Sequence, residues 1–168
     1  MENTQTCVAT AQKAGKFVTS SHVESLLSTY KKERWVNNSK HIQKEDSLSV
    51  WYSVEELEAF LAAAKANGAD GVKMYFGVYT PETAKELLYE ERQTIVLVAS
   101  KTKALENGST IDKSVYVQQG DRAEILAYNA GRICPPACTG PGTGNGTGFD
   151  WDNMGILIDR KGEGMIII

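Results

Sequence analysis

Between Ser53 and Tyr79 the apolar residues change their spacing once, and that change constrains the fold more than any other feature of the chain. Val54, Leu57, Phe60, Leu61 and Ala64 recur at helical intervals behind Ser53 and Glu56, which stand at capping-box spacing. Asn67, Gly68 and Gly71 then stop the helix. Directly afterwards Val72, Met74, Phe76 and Val78 alternate with Lys73, Tyr75, Gly77 and Tyr79, the period of a strand with one face on a core. A helix that feeds a one-sided strand calls for a helix layer on a sheet.

The flanking segments extend this reading. QTIVLVAS, with its unbroken apolar run from Ile95 to Ala99, predicts a central strand covered on both faces. SLSVWYS has strand character and sets Trp51 and Tyr52 at a strand-to-helix junction. Ser21 and Glu24 repeat the capping-box spacing, and Val23, Leu26, Leu27 and Tyr30 predict a helix over 21–34 ending in KKER, with WVNNSKHIQKEDS as loop. Between the two strands, YTPETAKELLYEER is either a short helix capped by Thr80 with Pro81 in its first turn, or the long connection of an antiparallel hairpin. SVYVQQ is a weaker third strand, AEILAYNAG is a short helix or strand, and MGILIDRKGEGMIII has the pattern of a terminal hairpin turning at 161–164. The expected fold class is α+β: a mainly antiparallel sheet with two principal helices packed on one face. Residues 1–19 have no periodicity and are expected as an adaptable arm. Residues 20–168 are expected as a single domain carrying a Gly-rich loop at 139–148.

Composition narrows the setting without naming a partner. A length of 168 residues suits one domain that buries roughly two thirds of its unfolded surface without staples. A formal charge of -3 gives no general attraction to nucleic acid or anionic lipid, so neither nucleic acid nor membrane is expected as a partner. The polar opening MENTQTCVATAQKAGKFVTSS has no apolar signal core, and no run approaches a membrane span, which makes the cytoplasm the expected address. Cys7, Cys134 and Cys138 form an odd set and are expected as reduced thiols there.

The stretch ICPPACTGPGTGNGTGFDWDN concentrates the candidate chemistry. A phosphate cradle fails on spacing: Gly140, Gly142, Gly144, Gly146 and Gly148 all stand at even positions, whereas the P-loop and the dinucleotide fingerprint need odd separations. No Lys or Arg lies between Arg132 and Arg160 to meet an anion. For calcium, Asp150 and Asp152 fit the first and third positions of an EF-hand loop, but Met154 and Lys161 occupy the fifth and twelfth. Turn and capping bonds are the ordinary use of such residues. For zinc, Cys134 and Cys138 supply two ligands at the long end of the usual spacing, and Cys7, His22 and His41 offer no second pair. A Cys134–Cys138 disulfide would close a tight loop whose geometry the two intervening prolines restrict. No GxSxG elbow, HExxH or protease-like Cys signature is present.

The aromatic residues suggest binding instead. Trp51, Tyr75 and Tyr79 with Lys73 could stack on a ligand, although aromatics in strands are more often core margin. If Met74 and Phe76 face the core, Lys73, Tyr75 and Tyr79 face solvent or a partner. WYSVEELEAFLAAAKANGADGVKMYFGVYTPE, QTIVLVAS and YNAGRICPPAC resemble an uncharacterised family of small bacterial proteins from Bacteroidetes. That resemblance implies an α+β architecture and brings no catalytic residue with it. The expected function is an interaction or self-assembly module without catalysis, its partner itself or another protein, with no cofactor. The apolar end MIII, which needs burial, adds to this expectation. The alternative is a small zinc- or calcium-dependent protein using Cys134, Cys138, Asp150 and Asp152.

Overall fold

The computed structural model describes residues 13–138, which form an α+β fold built on antiparallel strands. Strand β2 (Gly71–Val78) pairs along its whole length with β3 (Gln93–Ala104), and the far side of β3 pairs with β4 (Thr110–Ser114) and β7 (Ala127–Tyr128). β3 is thus the central strand that its apolar run predicts. Leu97 and Val98 point to opposite faces of the sheet and both are buried. Two short ribbons complete the described strands: β1 (Ser49–Trp51) with β8 (Arg132–Cys134), and β5 (Tyr116–Gln119) with β6 (Arg122–Ile125).

Helix α3 (Val54–Ala66) begins as its sequence requires. The Ser53 side chain accepts from the Glu56 amide at 3.1 Å and the Glu56 carboxylate accepts from the Ser53 amide at 2.8 Å. Asn67 caps the end, and Gly68 follows at φ 77°, a left-handed conformation that glycine adopts without a Cβ penalty. The helix lays Phe60 and Ala64 on Leu97 and Ala99, with Leu57, Val72, Ile95 and Tyr128 around them. A second cluster joins Tyr79, Tyr89 and Ile133 at the other end of the β2–β3 pair.

The first helical segment differs from its expected bounds. α1 (Ser20–Tyr30) is capped by Thr19, whose hydroxyl accepts from the His22 amide at 3.4 Å, so Ser21 is not the cap. It runs through a π-helical turn at Lys31–Trp35 into α2 (Val36–His41), where a loop was expected. Contacts distant in sequence hold that continuation. Trp35 Nε1 donates to the Asp46 carbonyl at 2.7 Å, Asn38 donates to the Asp46 carboxylate at 3.1 Å, and Ser39 Oγ accepts from the Asp46 amide at 2.9 Å. Asp46 Oδ1 also accepts from the amides of Ser47 and Gln93, at 2.8 and 2.7 Å. One buried carboxylate therefore joins the helical segment to the start of β3, aided by the Tyr30 hydroxyl on Gln93 at 2.8 Å.

Between β2 and β3 the chain makes a single turn at Thr80–Ala84 and a 3-10 turn at Leu87–Tyr89, the long hairpin connection rather than a helix. β4 was not expected, and AEILAYNAG supplies the short strands β6 and β7. Residues 13–19 are exposed and outside regular structure. The Gly-rich loop at 139–148, Asp150, Asp152 and the terminal hairpin MGILIDRKGEGMIII lie outside the described residues.

Candidate functional site: the exposed face of β2

β2 has core character on one face and yet leaves most of that face open. In the β2–β3 register Val72, Met74, Phe76 and Val78 stand opposite Ala99, Leu97, Ile95 and Gln93, so they share the face on which α3 packs. Val72 reaches the core cluster. Met74 and Phe76, expected inside, are 67% and 79% exposed, and Val78 is exposed as well. The reason lies in α3: its sheet-facing stripe narrows to Leu57, Phe60 and Ala64, and that much side chain covers β3 without reaching the outer half of β2. The alanine-rich sequence of this helix, FLAAAKA, is the signal that marks the gap.

The four residues expected to form an interaction surface separate. Tyr75 lies on the other face of β2 and is 48% exposed. Lys73, on the same face, is half-buried, and its ammonium crosses the sheet to donate to the Asp112 carbonyl on β4. Trp51 is exposed but belongs to the β1–β8 ribbon, where the Arg132 guanidinium sits 4.3 Å from its ring centroid. Tyr79 is a correction: at 3% exposure it is packed against Tyr89 and Ile133 and offers nothing to a partner. It directly follows β2, and its packing with Tyr89 and with Ile133 of β8 overrides the alternation that placed it on the surface.

The cysteine corner is also corrected. Cys134 and Cys138 form a disulfide with a Cα–Cα distance of 4.5 Å, and the intervening Cys134–Pro135 and Pro135–Pro136 peptide bonds are both cis. In this state neither sulfur is a thiolate able to ligate zinc. Among the described residues no group of three or more His, Cys, Asp and Glu is placed to hold a metal ion.

The ionisable groups inside the fold serve structure. Arg92 is buried, its Nε donates to the Leu88 carbonyl at 2.8 Å, and its Nη1 has no partner among the described residues. Burial lowers its pKa, opposed by the charges of Asp46 and Glu45. Burial likewise raises the Tyr52 and Tyr89 phenols above their ordinary value, keeping both protonated at neutral pH. Glu56 is held below the usual carboxylate range, first by the Ser53 amide and then by the Ser53 hydroxyl. These are capping and packing roles, and no nucleophile–base pair is assembled among them.

No helix among the described residues is long and apolar enough to cross a membrane. What distinguishes the described residues is that β2 is an edge strand among them, with core-type side chains on an exposed face. No family model, no curated protein and no solved structure matches the chain.

Proposed function

We propose that the protein is a non-catalytic interaction module that associates with itself or another protein through the open face of β2. The exposure of Met74, Phe76 and Val78 side by side on one strand carries this reading. Contiguous apolar surface of this kind is the usual mark of a protein contact. Lys73, the one charged residue on β2, is turned across the sheet to Asp112 and does not guard the edge as lysines on edge strands commonly do. For location, the Cys134–Cys138 disulfide favours an oxidising compartment over the cytoplasm expected from composition.

Light scattering over a concentration series tests the proposal. The expected result is a mass above the 18.4 kDa of one chain that falls to the single-chain value in Phe76→Glu. A single-chain mass for the native protein at high concentration, unchanged by that substitution, overturns it.

A further inference from the structure

The hydrogen-bonding phase of β2 decides what can be added to it. On β3, the Ala99 amide donates to Leu126 and the Ala99 carbonyl accepts from Val115, both on the side away from β2. Ala99 and its partner Val72 are therefore a non-hydrogen-bonded pair of the β2–β3 ladder. Alternation carries this along the strand: Val72, Met74, Phe76 and Val78 all direct their backbone N–H and C=O groups away from β3. Among the described residues those groups meet no other backbone. Met74, Phe76 and Val78 thus combine exposed side chains with main-chain groups that are open among the described residues.

Resting on the reading of β2 as the interaction surface, we infer that its partner is the β2 strand of a second copy of this chain. The two strands pair antiparallel about a two-fold axis at Tyr75. In that register Met74 faces Phe76 of the other copy and Val72 faces Val78, as hydrogen-bonded pairs that use every outward N–H and C=O of these residues. On the opposite face Tyr75 meets Tyr75, and Lys73 meets Gly77. The only charge on β2 therefore falls opposite a glycine and never opposite its own copy, so the strand carries no like-charge clash against itself. An axis at Met74 leaves the outward groups of Val78 without a partner within β2, and an axis at Phe76 leaves those of Val72 without one. The shared edge continues the sheet from one copy into the other, an isologous contact of the kind that closes a dimer.

Site-specific oxidation in a Cys7→Ser background reads the register. Tyr75→Cys places two thiols opposite each other at a non-hydrogen-bonded pair, where Cα atoms stand about 4.5 Å apart. The expected result is a covalent dimer as the main oxidised species. Lys73→Cys alone should give no dimer, but mixed with Gly77→Cys it should give the heterodimer. Gly77 tolerates this change because a Cβ there meets Thr94 Cγ2 at an ordinary 3.5 Å. Phe76→Glu should weaken dimerisation by at least about tenfold. A dimer that Phe76→Glu disrupts but that Tyr75→Cys does not cross-link overturns the two-fold edge pairing and leaves β2 as the contact surface. A monomer whose β2 amides resist hydrogen exchange until Leu157→Asp is introduced overturns self-pairing and assigns the edge to the C-terminal part of the chain. A monomer with freely exchanging β2 amides overturns both the pairing and the interaction surface.

Discussion

β2 and β3 lie side by side, point residues of the same kind toward the same helix, and end in opposite situations. Leu97 on β3 is buried beneath Phe60 and Ala64, whereas its cross-strand partner Met74 on β2 stands in solvent. The difference is not in the strands. It is in the width of α3, whose Leu57, Phe60 and Ala64 stripe spans one strand and stops. The comparison teaches that an apolar strand face reports a need for cover, and that the covering element determines whether the need is met within the chain.

Substitution at the two strands breaks or confirms that contrast most sharply. Leu97→Ala removes a side chain with packed neighbours on every side and should cost about 2–5 kcal/mol in denaturant unfolding. Phe76→Ala, measured at a concentration low enough to keep the protein monomeric, should stay within about 0.5 kcal/mol of the native protein. Comparable losses at both positions would mean that β2 is covered as β3 is.

A smaller effect is expected where the β1–β8 ribbon closes on the strand-to-helix junction. A Cβ on Gly131 would stand 2.6 Å from both Tyr52 Cζ and Val50 Cγ1, too close for either to remain in place. Gly131→Ala should destabilise by about 1–3 kcal/mol through this overpacking, seen as a lower unfolding midpoint with an unchanged slope. If Gly131→Ala is neutral, this end of the molecule is as loosely fitted as the outer half of β2.

The smallest expected effect concerns the helix that sets the width of the cover. Glu56 has its pKa lowered in the folded state, so its charge stabilises the fold above the unfolded carboxylate pKa. That contribution disappears as the pH falls through the folded value. Glu56→Gln should be less stable than the native protein near neutral pH, and the two stability curves should converge in acid below the ordinary Glu range. Curves that stay parallel across this window would remove the charge from the cap and leave only its geometry.

Where local rules decide, the sequence was readable. The Ser53/Glu56 box, the Asn67–Gly68 stop and the existence of strands β2 and β3 all depend on residues within a few positions of one another. Where a distant residue decides, it was not. Asn37, Asn38 and Ser39 look like loop residues, and the helix continues through them because Asp46 receives or supplies hydrogen bonds at Trp35, Asn38 and Ser39. Tyr79 follows the alternation of an outward residue, and Ile133 and Tyr89 bury it. The spacing of Cys134 and Cys138 left a disulfide as one possibility that the two prolines restrict, and the choice between it and free thiols depends on the three-dimensional approach of the two sulfurs. On β2 the alternation was legible for Tyr75, which is exposed as expected, but not for Met74, Phe76 and Val78 on the reverse face, which are exposed where a core was expected.

The Asp46 junction has a mechanical meaning for the front of the molecule. The helical stretch from Ser20 to His41 has no buried residue of its own and is held largely by polar contacts at Asp46 and Gln93. Such an attachment works as a latch. Its strength depends on the ordering of one carboxylate, so the latch can release as a unit at a free energy well below that of the sheet. The core of Phe60, Ala64, Leu97 and Ala99 includes none of the latch residues and stays shut when it opens.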